Sequence, residues 1–77
     1  MKSITKFIEA VNNYSPTDID AGLKATNCPE HLESKLRQQQ SKHGGSMGLF
    51  NFLPLLSDDN KEAFIKAFMN SYNLKLI

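Results

Sequence analysis

The chain has no tryptophan, a single cysteine, three prolines and four glycines in 77 residues. One cysteine excludes an internal disulfide, a support that many domains of this size rely on, and a lone thiol fits a reducing compartment. Neither charge sign dominates, since nine Lys plus Arg against eight Asp plus Glu leave a net charge of +1. That balance is poor for steering toward nucleic-acid phosphates. No apolar run approaches the ~20 residues needed to span a bilayer. Met1-Lys2 leads into Thr5, Lys6, Glu9 and Asn12 rather than an unbroken apolar stretch, so no secretory signal and a cytoplasmic location are expected. Phosphate-binding loops, dinucleotide-binding glycine patterns and serine elbows are all missing. The expectation is a protein that is not an enzyme and takes no cofactor.

What is present is helical periodicity. Ile4, Phe7, Ile8 and Val11 recur at i, i+3, i+4 and i+7, which predicts a helix over about 3–12 with Ser3 as its cap. Ser15-Pro16-Thr17-Asp18 sets a hydroxyl before a proline and an acid three residues after the hydroxyl, the pattern of a helix start. That second helix runs over about 16–25, burying Ile19 and Leu23, with Asp20 and Lys24 spaced to pair. Asn27-Cys28-Pro29-Glu30 opens a third over about 29–42, with Leu32 and Leu36 inward and Glu33 and Arg37 paired outside. Its end, Gln38 to His43, is polar all round and reads as a helix tip in solvent.

Gly44-Gly45-Ser46 reads as a break, either a native loop or an engineered join, and Ser46 can cap a short helix over about 47–53 that Pro54 ends. The last helix, about 58–72, starts at Ser57-Asp58-Asp59 with Asp59 and Glu62 at capping-box spacing. It carries Phe64, Ile65, Phe68, Met69 and Tyr72 on one broad face, and Asn73 is its expected stop. The residues 74–77 form a short alternating tail. Four or five short helices without a strand pair predict a single all-α, bundle-like domain.

Candidate chemistry is sparse. Cys28 and His31 stand at C-x-x-H spacing with His43 further on, but a structural zinc site wants four ligands, and no metal site is expected. Cys28 at a helix start would gain thiolate character from the dipole, an effect that Glu30 opposes. Gly48 follows Met47 far from the chain start, so it is no acylation signal.

The segment Met47-Gly48-Leu49-Phe50-Asn51-Phe52-Leu53-Pro54-Leu55-Leu56 sits in a stretch free of Asp, Glu, Lys and Arg from His43 to Ser57. So much apolar surface must line a core, meet a partner or touch a membrane, and a membrane-surface helix would normally carry Lys or Arg here. Its large side chains follow one another too closely to share one side of a helix, so Leu49, Phe50, Phe52 and Leu53 are expected to form a protein interface. The function expected is a small accessory or regulatory interaction module that self-associates, as a homo-oligomer, or docks on a larger protein. The alternative is a helix-turn-helix DNA-binding regulator reading bases with Lys35, Arg37 and Gln39, although Glu30 and Glu33 then lie where phosphates would.

Overall fold

The computed structural model describes residues 2–75, with the side chains of Lys2 and Ser3 left aside. The chain forms five α-helices and, among the described residues, no strand: α1 (Lys2–Asn13), α2 (Pro16–Lys24), α3 (Pro29–His43), α4 (Gly45–Phe52) and α5 (Asp58–Leu74), with a 3-10 turn over Leu53–Leu55. The all-α architecture expected from the periodicity is therefore the one observed. The closest helix pairs are α3 with α4 and α2 with α5, and α1 lies against both α4 and α5.

The helix starts differ from expectation in three places. Ser3 lies inside α1 rather than before it. Gly44, not Ser46, precedes α4: its φ of 90° is a left-handed value that glycine takes without strain, and α4 starts directly at Gly45. Instead of capping, Ser46 donates its hydroxyl to the Val11 carbonyl and ties α4 to α1. At α5 the cap is Ser57, whose Oγ accepts the Asn60 amide at 3.2 Å, so Asp59 and Glu62 form no box and Asp58 and Asp59 favour the positive end of the helix dipole. The helix continues one residue beyond Asn73, its expected stop, and of the expected tail Leu76 and Ile77 lie outside the described residues.

All five phenylalanines join one chain of ring contacts through the core. Phe50 meets Phe7 edge-on at 5.9 Å, Phe7 meets Phe68 at 6.4 Å, Phe68 stacks on Phe64 at 6.0 Å, and Phe64 meets Phe52 at 5.6 Å. Such pairs add about 0.5–1.5 kcal/mol each beyond their area burial. Val11, Leu36 and Leu49 fill the space around them with no exposure.

Two glycines let helices approach closely. A methyl group on Gly48 would stand 2.5 Å from the Gln40 Cα, so α4 crosses α3 backbone to backbone at this point. Gly22 faces the Phe64 ring, and a methyl there would stand 2.7 Å from it. The polar end of α3 is in solvent only in part: Gln38, Ser41, Lys42 and His43 are exposed, but Gln39 and Gln40 are half-buried, and Gln40 donates its side-chain amide to the Tyr14 hydroxyl at 2.7 Å.

Candidate functional site

The apolar segment that dominates the sequence is spent largely on the core. Leu49, Phe52 and Leu53 are separated by three and four residues and share one face, so α4 and the 3-10 turn bury them together. Leu56 folds back into the same cluster after Pro54 has ended the helix. Of the four residues expected at an interface, only Phe50 keeps partial access, while Met47 and Leu55 in the same segment are exposed. Leu49, Phe52 and Leu53 are thus buried within this chain.

Besides Met47 and Leu55, exposed apolar surface lies along α1 and α5. Val11 and Ala10 anchor α1 in the core and Phe7 is half-buried, which leaves Ile4 60% and Ile8 46% exposed on the outer edge of the same stripe. Facing Ile4 and Phe7 across a furrow of about 430 Å³ are Ile65 and Met69 of α5, both half-buried. A second furrow of about 660 Å³ runs on the other side of Met69 and Asn73, floored by Ala25, Ala63 and Ala67. Small alanine side chains open this hollow. The first furrow carries Lys6 on its wall and the second Lys66. Sequence reasoning assigned Ile65 and Met69 to the core because they extend the broad apolar face of α5; their flanking position shows only when the helix neighbours are known.

The most elaborate polar cluster is structural. Asp18, fully buried at the start of α2, accepts the Ser71 hydroxyl at 2.5 Å, the Lys75 ammonium at 2.6 Å and the Ser15 backbone amide at 3.0 Å. Lys75 also donates to Ser15 Oγ at 3.1 Å and lies 5.3 Å from the Tyr72 ring centre. Burial pushes the Asp18 carboxyl up, but hydrogen bonds from Lys75, Ser71 and the Ser15 backbone, with the Lys75 charge, outweigh it and hold the group below its ordinary value. The Ser71 and Lys75 donors hold α2 to α5, and the Ser15 amide closes the start of α2.

The residues considered for DNA contact are not arrayed as a reading surface. Arg37 pairs with Glu33 at 3.5 Å, as its spacing predicts, and donates to Gln40 Oε1 at 3.2 Å. Lys35 and Gln39 are half-buried. Asp20 and Lys24, spaced to pair, do not come within ion-pair distance. Cys28 and His31 are exposed around the start of α3, and among the described residues no group of three or more His, Cys, Asp or Glu is placed to hold a metal ion. Nor, among those residues, is any helix long and apolar enough to cross a membrane. Compared with protein-family models, with curated proteins and with solved structures, the chain matches none.

Proposed function

We propose that this chain is a small, non-enzymatic helical interaction module, an accessory or regulatory protein of the cytoplasm that acts by docking on another protein or on its own kind. The docking surface is the furrowed face of α1 and α5, with Ile4, Phe7, Ile8, Ile65 and Met69 as its apolar contacts and the free edge of Phe50 beside Phe7. One observation carries the reading. Ile4 and Ile8 stand exposed one turn apart on a helix whose inner side is already well anchored, so both lie outside the buried core, and Ile4 lines the furrow with Phe7, Ile65 and Met69. Helix-in-groove and helix-on-helix docking both use apolar side chains at this spacing.

The test compares the whole chain with its Ile4→Asp/Ile8→Asp variant, both checked for unchanged helicity by circular dichroism. Light scattering gives the molar mass across a concentration series, and the immobilised proteins are used to capture partners from the host extract. A dimer, or a captured protein, present with the wild type and lost with the variant supports the reading. Identical masses and identical captured sets for the two proteins overturn it.

A further inference from the structure

We infer that the occupant of this face is an acidic, amphipathic helical segment of a different protein, an inference that rests on the docking role proposed above. Among the described residues, the charged groups lining the two furrows are Lys6 and Lys66, and neither takes part in an ion pair. Glu9 on α1 and Glu62, one turn before Lys66, are exposed but line neither furrow. The surface therefore offers two apolar grooves, each with an unneutralised ammonium group at its wall. A helix with leucine-like residues at i, i+3 and i+4 fills the grooves, and glutamates or aspartates on its flanks meet Lys6 and Lys66.

The same charges argue against a second copy of this chain. A two-fold interface sets one patch on the same patch of the second copy, whose furrow-lining charges are again only Lys6 and Lys66, so it supplies no acid among them to neutralise either ammonium group. A bilayer fits less well than a helix for a geometric reason. Met69 and Asn73 line both furrows and so separate them, and the exposed side of α5 carries Glu62, Lys66, Asn70 and Asn73. Apolar side chains recessed beside such a polar ridge reach an incoming side chain but not the acyl region of a flat membrane.

The test is selection from a phage-displayed library of random peptides of about 16 residues on the intact chain, followed by fluorescence anisotropy of the enriched peptides. The expected winners are net acidic with apolar residues at helical spacing. Their affinity should fall about tenfold on Lys6→Glu/Lys66→Glu, weaken with added salt, and fall also on Ile4→Asp, whose exposed site leaves folding intact. No enrichment, neutral or basic winners, or equal binding by the charge-reversal variant overturns the inference. So does binding to phosphatidylglycerol vesicles that the same charge reversal abolishes. If a host protein or a second copy still distinguishes wild type from Ile4→Asp/Ile8→Asp while the winners are not acidic, the docking role stands and the acidic-helix assignment falls.

Discussion

The Asp18 carboxylate and the Lys75 ammonium lie 57 residues apart in the chain and 2.6 Å apart in space, the first fully buried and the second 40% exposed. A buried carboxylate that loses its cation costs more than the pair contributes, because the remaining charge is left in a poorly solvated place. Replacing Lys75→Met is therefore expected to cost about 1–3 kcal/mol in urea denaturation. The loss should be clearly smaller when Asp18→Asn is already present. Additive losses in the double variant would show that the two groups are not coupled.

The same carboxyl sets a pH dependence. Its folded-state affinity for a proton is below that of the unfolded chain, whose ordinary value is 3.8, so the unfolded state takes up the proton first on acidification. The contribution of Asp18 is fully present above about pH 5 and is lost as the pH falls below about 4, through the lowered native value. Urea midpoints measured from pH 6 down to pH 2 should decline in the wild type and decline less in Asp18→Asn. Equal slopes would remove Asp18 from the acid response.

At the crossing of α3 and α4, Gly48→Ala forces a methyl against the Gln40 backbone, which has no side chain to rotate away. The expected cost is about 1–3 kcal/mol by chemical denaturation, despite alanine's better helix propensity. Gly22→Ala meets a phenylalanine ring rather than backbone, so its cost should be the smaller of the two. A Gly48→Ala protein as stable as the wild type would mean that the helices do not approach this closely.

Core and surface roles separate between the apolar residues of α4 and of α1. Leu49→Ala should cost about 2–5 kcal/mol, because Leu49 has no exposure and leaves a cavity. Ile8→Ala, on the exposed edge of α1, should change stability by less than about 1 kcal/mol. Comparable losses at the two positions would place Ile8 in the core and remove it from the docking face.

Helix type was legible wherever the chemistry is local. The Ser15-Pro16-Thr17-Asp18 start, the Leu32 and Leu36 spacing and the Glu33–Arg37 pair need only neighbours within four residues, and the sequence displays those. Leu49, Phe52 and Leu53 also shared a helical face in the sequence, but the dense apolar stretch around them obscured it. Ser57 was preferred over Asp59 as the cap because its oxygen reaches the amide of Asn60 three residues on, a detail of one turn. The contacts that define the site were not legible. Gly48 is required by the backbone of Gln40 on another helix, Asp18 is satisfied from Ser71 and Lys75, and the furrows exist only once α1 and α2 flank α5.

The two closest helix pairs join very different lengths of chain. The α3–α4 pair closes around Gly44 alone, so it can collapse early and with little loop entropy, whereas α2 and α5 must find each other across the whole of that hairpin. Within α2 the Asp18 carboxylate has only Ser15 as a local partner, and its bonds to Ser71 and Lys75 exist only when α5 is in place. The position of α5 therefore settles two things at once, the pairing of Asp18 with Lys75 and the furrow shared with α1.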